Sequence, residues 1–149
     1  MKFVLPIMIG ALLAPSAAAM NNLPVEIVDG VSVEAAWVRA IPGDTMSEVF
    51  LVVNNTTESP VSVSGVRYAG NNAGMLVSSS GEALGTITIP VHAELYMTEG
   101  GVRVLVEGRF DVSNAPILQL ELSGAPTGPF RASILEVDQP LPDHHDYVH

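Results

Sequence analysis

The apolar positions of this 149-residue chain fall in short runs set apart by clusters of Gly, Pro, Asn and Ser. That spacing marks β-strands, whose side chains alternate between two faces, and no window carries the 3.6-residue period of a convincing helix. Strands are predicted over 31–39, 48–54, 61–68, 75–79, 84–89, 94–97, 102–107, 117–123 and 130–137. Leu118, Leu120 and Leu122 alternate with Gln119 and Glu121, so that strand has one apolar and one polar face. Val49-Phe50-Leu51-Val52-Val53 is apolar throughout and predicts a central strand covered on both faces. Many short strands at this spacing imply an all-β fold of about eight or nine strands, either a two-sheet sandwich or a Greek-key barrel.

The connections carry turn chemistry. Ile41-Pro42-Gly43-Asp44 reads as a turn, Asn54-Asn55-Thr56-Thr57 ends a strand, and Glu99-Gly100-Gly101 reads as a tight hairpin in which glycine permits positive φ. Asn54-Asn55-Thr56 and Asn55-Thr56-Thr57 also match the glycosylation acceptor pattern, but a turn-forming polar cluster accounts for both. Gly124-Ala125-Pro126-Thr127-Gly128-Pro129 separates the last two strands, and no repeat or second domain is visible.

The first residues read as a secretory signal. Lys2 supplies a positive charge, residues 3–15 are almost wholly apolar, and Ser16-Ala17-Ala18-Ala19 offers the small residues a signal peptidase needs. The apolar stretch falls short of the roughly 20 residues of a membrane-spanning helix and is interrupted by Pro6 and Pro15. Cleavage after Ala19 would leave a β domain over 20–137 and a flexible tail over 138–149, exported to the periplasm with no membrane insertion.

Removing the leader removes the only lysine and leaves five arginines against sixteen acids, a formal charge of −11. Such a field disfavours nucleic acid and anionic membrane surfaces, which need clustered Lys or Arg, and attracts cations. The chain has no cysteine, which excludes disulfides, thiolate metal sites and cysteine nucleophiles and leaves His, Met and carboxylates as metal donors.

Three of the four histidines fall in the closing Asp143-His144-His145-Asp146-Tyr147-Val148-His149. Imidazole nitrogens with carboxylate oxygens suit Cu(II) or Zn(II), so Asp143, His144, His145 and His149 are candidate ligands; a plain solvated end is the alternative. The preceding Asp138-Gln139-Pro140-Leu141-Pro142 has two prolines and no apolar period, and reads as an extended linker carrying the tail away from the body.

The body resembles a known family. Ala36-Trp37-Val38-Arg39-Ala40, a Pro-Gly loop, and Val49-Phe50-Leu51-Val52-Val53-Asn54-Asn55 resemble the opening of the periplasmic copper chaperones called PCuAC; Ile89-Pro90, Glu99-Gly100-Gly101 and Gly108 are similar to that family's later motifs. The resemblance spans most of 31–137 and implies a small cupredoxin-like β-barrel, copper as ligand, and delivery to an apo-cuproprotein such as a respiratory oxidase. The family binds copper through two His and two Met, one pair in a His-x-Met just after the Gly-Gly turn. Residues two apart on a strand share a face, and imidazole with thioether suits Cu(I). The matching positions here are Arg103 and Leu105, neither of which can ligate, and the family's first His falls near Ser78 or Ser79.

Met46, Met75 and Met97 lie near the elements that resemble the metal-bearing end, and three thioethers would make a Cu(I) site if they converged; packing is the alternative. His92 reads as a surface residue, and Arg103 as a partner for Glu107 or Glu94. Two functions stand: a copper-binding and copper-delivery protein, with Cu(II) at the tail or Cu(I) at the methionines, or an interaction module that kept the fold and lost copper. Ser78-Ser79-Ser80 has no His–acid pair beside it, and the chain is not expected to be an enzyme.

Overall fold

The computed structural model describes residues 23–68 and 72–142. The expected leader and the tail residues 143–149 lie outside these. The strands are β1 (Val25–Val28), β2 (Val31–Ala40), β3 (Met46–Asn55), β4 (Val61–Tyr68), β5 (Asn72–Val77), β6 (Ile87–Ile89), β7 (Glu94–Tyr96), β8 (Arg103–Glu107), β9 (Ile117–Leu122), β10 (Ala125–Pro126), β11 (Phe130–Arg131) and β12 (Ser133–Leu135). Each of the nine expected strands has a counterpart, and no helix occurs among the described residues. The count rises to twelve for three reasons. β1 is a four-residue edge strand, β10 forms inside the presumed loop after Leu122, and the last predicted strand divides in two.

The division of that last strand closes the fold. Hydrogen-bonded neighbours run β1-β2-β3-β8-β5-β4-β9-β10, a sheet that curls on itself. β11 pairs with β9 at one side, and β12 lies parallel to β2 at the other, with Ser133 beside Trp37 and Leu135 beside Arg39. Ala132, 3% exposed, is the crossing point where the chain changes partners. Phe130 and Leu135 on either side of it are buried, so the crossing is fastened to the core from both ends.

Pattern becomes packing most directly in β3. Val49, Phe50, Leu51, Val52 and Val53 are all fully buried, as a strand with neighbours on both sides and cover on both faces requires. β2 flanks it along one edge, and β8 followed by β7 along the other. The β2–β3 hairpin is pinned by its turn: the Ile41 N–H donates to Met46 O at 3.0 Å, the Asp44 N–H donates to Ile41 O at 3.1 Å, and Gly43 takes φ 73°. That turn sets the register that places Trp37 opposite Phe50 and Arg39 opposite Glu48.

At the far end of β3, Asn55 is fully buried and saturated. Its Nδ2 donates to the carbonyls of Ser59, Ile89 and Pro90 at 2.9, 3.2 and 3.1 Å, and its Oδ1 accepts from the Thr57 N–H and hydroxyl at 2.9 and 2.7 Å. A side chain so engaged organises a turn and ties it to the end of β6; it is no accessible glycan acceptor in the folded chain. Asn55→Ala removes five hydrogen bonds, leaves the buried Ile89 carbonyl without this donor and opens a void at a fully buried position, and should lower the unfolding free energy by about 2–4 kcal/mol. Urea denaturation measures this, and a loss under about 0.5 kcal/mol would contradict the assignment.

Candidate functional site

The register of β3, β8 and β5 assembles one outer face. Leu105 lies between Glu48 and Met75, Glu107 lies opposite Met46, and Arg103 lies opposite Val77. Because cross-strand partners point the same way, these side chains leave Val104 and Val106 to the core, where both are buried. Gly74 on β5 belongs to that inner packing: a Cβ there would fall 2.7 Å from a Val104 methyl.

Arg103 is held on this face through its Nε and Nη1. Its Nε donates to Glu48 Oε1 at 3.1 Å, and its Nη1 donates to the carbonyls of Ser78 and Gly101, each at 3.0 Å. The Gly101 carbonyl is presented by the tight turn expected from sequence, with the Gly101 N–H donating to Thr98 O at 3.0 Å and Gly100 at φ 73°. Pairing of Arg103 with Glu107 or Glu94 is not what occurs. Glu107 is four residues further along the same strand and accepts from the Thr45 hydroxyl at 3.3 Å, while Glu94 sits on β7 beside the other end of β3.

Glu48 uses its second oxygen for another arginine. Arg39 Nη2 donates to Glu48 Oε2 at 3.2 Å, and Arg39 Nη1 donates to Glu99 Oε1 at 3.0 Å and to the Gln139 carbonyl at 2.9 Å. The Arg39 guanidinium carbon also stands 5.3 Å from the Phe50 ring centroid, a cation–π distance. Glu99 Oε1 in turn accepts the Leu141 N–H at 2.9 Å. The side chains of Arg39, Glu48 and Arg103 are only 13%, 19% and 17% exposed, so this is a partly desolvated chain of charges rather than a loose surface pair. Burial works against the charge of Arg39, but hydrogen bonds and attraction from Glu99 and Glu48 outweigh it and raise its pKa. The Glu99 carboxyl is held below its usual range, first by the Leu141 amide and then by Arg39.

The same contacts revise the path of the C-terminal segment. Rather than leading away as an extended linker, residues 136–142 run along the barrel. The Glu136 N–H donates to Gln139 Oε1 at 3.0 Å, Gln139 and Leu141 are gripped by Arg39 and Glu99, and Leu141 packs against the hydrophobic core. Two prolines suggested a spacer; tertiary contacts make it a strap.

The candidate donors are placed as follows. Met97 is a core residue, 1% exposed, whose N–H donates to Leu51 O at 3.0 Å. Met46 and Met75 lie on the outer face, on the two strands that flank β8, and Met75 is 45% exposed. Met46 stands five residues along β3 from Leu51, about 17 Å of strand, so a site using all three sulfurs is not assembled. Exposed His92 contacts Glu58 Oε1 through Nε2 at 3.0 Å, as a surface residue does. Asp143, His144, His145 and His149 lie outside the described residues. No group of three or more His, Cys, Asp or Glu that would hold a metal ion occurs among the described residues. Beside Arg103 the donor atoms are the Glu48 carboxylate, already shared between two arginines, and the carbonyls of Ser78 and Gly101, with Met75 opposite Leu105.

No protein-family model matches this chain, and no curated protein matches it. Solved structures do. The copper-bound PCuAC domain from PmoF2 superposes with a TM-score of 0.64 at 20% identity, covering 76% of this chain and 97% of that one. The apo PCuAC domain from PmoF1 gives 0.64 at 16% identity, covering 76% and 98%. The Cu(I) form of DR1885 from Deinococcus radiodurans gives 0.59 at 16% identity, covering 78% and 83%. The chain therefore has the PCuAC-like fold, a cupredoxin-like β-barrel.

The lowered Glu99 pKa has a consequence in acid. Its grip on the strap is complete above the ordinary glutamate value of 4.5 and is lost as pH falls through the lower folded value. In an NMR pH titration the Leu141 amide shift should step below pH 4.5, and the step should vanish in Glu99→Ala. A flat Leu141 profile through that window would contradict the contact.

Proposed function

We propose that this chain is a periplasmic copper-binding and copper-delivery protein built on the PCuAC-like frame. In this reading the C-terminal Asp143, His144, His145 and His149 take over from ligands that the barrel lacks. One observation carries the reading. The chain leading to the histidines is fastened at Gln139 and Leu141 to the same charge network that contains Arg103, at the position where the resembling family has a copper-binding His. The tail therefore starts from the end of the barrel where that family holds metal. Its seven residues reach at most about 25 Å from Pro142, which keeps them local.

The chemistry agrees. Two adjacent imidazoles, a third four residues on, and neighbouring carboxylates favour Cu(II) over Cu(I). The acidic surface of the exported chain raises the local concentration of cations. Ordering such a segment costs about 1–2 kcal/mol per residue, so the affinity is modest and the metal exchangeable, as suits handing copper to an apo-cuproprotein. No catalytic step belongs to this reading. Arg103 itself favours a second one: a guanidinium locked to Glu48 and two carbonyls is also what a barrel that gave up copper and kept an interaction role would carry.

Copper titration of the protein 20–149, followed by native mass spectrometry, separates the two. The full chain should take up one Cu(II), and deletion of 143–149 should abolish uptake. Binding should weaken as pH falls through about 6.5, where free imidazole protonates. A full chain that stays metal-free with both Cu(I) and Cu(II) leaves the interaction module, and undiminished binding after truncation would return the site to Met46 and Met75.

A further inference from the structure

The outer face of β9 carries a row of side chains that the core does not need. Leu118 and Leu120 are fully buried, so Ile117, Gln119 and Glu121, which alternate with them, point outward. β4 sets Arg67 opposite Gln119 and Gly65 opposite Glu121. Gly65 lets the Glu121 carboxylate lie across β4, because a Cβ there would fall 2.7 Å from Glu121 Oε1. The other oxygen, Oε2, accepts from Arg67 Nε at 2.6 Å. The guanidinium is thereby fixed by its Nε edge with its charge balanced, and the Arg67 side chain keeps 35% of its surface in solvent. Ile117, at the other end of the row, is 39% exposed.

Two further segments border this row and make it a pocket of about 710 Å³, lined by Arg67, Phe110, Pro116, Ile117, Gln119 and Pro129 among others. The loop over 110–116 forms one wall. Phe110 anchors it, set edge-on to Tyr68 with ring centroids 6.3 Å apart. The Asp111 carboxylate tightens the same loop, accepting the Ser113 N–H and hydroxyl at 2.9 and 2.6 Å and the Asn114 N–H at 3.1 Å. Pro129 adds a second wall. Gly128 before it takes φ 87° and approaches β9 so closely that a Cβ would fall 3.5 Å from the Leu118 carbonyl oxygen. Both walls are held by the chain's own contacts, so a ligand meets a pre-formed site.

The lining selects a chemical class. Ring and aliphatic surface dominates it through Phe110, Pro116, Ile117 and Pro129. A guanidinium held at its edge by a carboxylate offers its flat face, which attracts the π-electron face of an aromatic ring. Glu121 already balances that guanidinium and the exported chain carries a formal −11, so an anion gains little here. Gln119 contributes an amide that both donates and accepts. We propose that this pocket binds a small uncharged aromatic molecule bearing a hydroxyl group, its ring on the Arg67 guanidinium and its hydroxyl hydrogen-bonded to Gln119. The volume lies in the upper half of the roughly 300–1,000 Å³ range of small-molecule sites, room for two fused rings. The site shares no residue with the network of Arg39, Glu48 and Arg103 or with the tail, and it is independent of copper.

Three probes of matched shape test this by NMR on the protein 20–149. β-Naphthol, uncharged at neutral pH, should move the backbone amides of Ala115, Ile117 and Gln119 and the Arg67 Nε–H along one saturable curve. Decahydro-β-naphthol keeps the hydroxyl and loses the aromatic ring, and should bind at least about fivefold more weakly. β-Naphthoate keeps the ring and adds a negative charge, and should also bind more weakly than β-naphthol. Arg67→Lys retains a cation for Glu121 but loses the flat face, and should weaken β-naphthol binding about fivefold. Gln119→Leu removes the amide and should weaken it by a similar factor. The proposal is overturned if millimolar β-naphthol leaves these signals in place, or moves amides throughout the barrel without saturating. It also fails if decahydro-β-naphthol binds as tightly, if β-naphthoate binds more tightly, or if either variant, folded, binds undiminished. The wild-type titrations decide the matter even where a variant does not fold.

Discussion

The bridge that Glu48 makes between Arg103 and Arg39 ties together three parts of the chain that the barrel alone would leave independent. Arg103 carries it to the Gly100-Gly101 turn and to the end of β5 at Ser78. Arg39 carries it to Glu99 and, through Gln139, to the C-terminal strap. Two cations held this close are tolerable only with the carboxylate between them. All three side chains are mostly withdrawn from water, so each polar atom left without a partner would cost more than at an open surface. The carbonyls of Ser78, Gly101 and Gln139 take donors that the two carboxylates leave over, so the network is held by backbone as well as by charge.

This arrangement also makes plain how a frame can persist while its chemistry changes. The inner face asks only for apolar volume at alternating positions, a demand that Val104, Val106, Leu76 and Val49 meet and that many sequences could meet. Hence the shape superposes on PCuAC domains at 16–20% identity. The outer face of β8 carries no such packing obligation. Arg103 and Leu105 can stand where the resembling family has a ligand pair because nothing in the core depends on what they are.

Much of the fold was legible because it is local. Alternation located the strands, and the Pro42-Gly43 turn fixes the hairpin register, so the Arg39–Glu48 pair follows by counting symmetrically from the turn. The Arg103–Glu48 contact was not legible in this way. It spans 55 residues and depends on β8 adding to β3, a long-range pairing that no local pattern announces. Short edge strands such as β1 and β10 leave too few residues for periodicity to register. The strap was hidden by its prolines, which argue for a linker until Leu141 is seen against the core. Met97 was ambiguous for a physical reason: thioethers fill cores as readily as they bind metals, and only burial distinguishes the two.

The central claim is that the barrel position is filled by charge and that copper, where this protein binds it, is held by imidazole nitrogen and carboxylate oxygen on the tail. X-ray absorption at the copper edge of the copper-loaded protein 20–149 tests this directly. The account predicts nitrogen and oxygen neighbours only, with the outer-shell scattering pattern of imidazole rings. Sulfur bound to the copper would contradict it, because the tail 143–149 contains neither cysteine nor methionine.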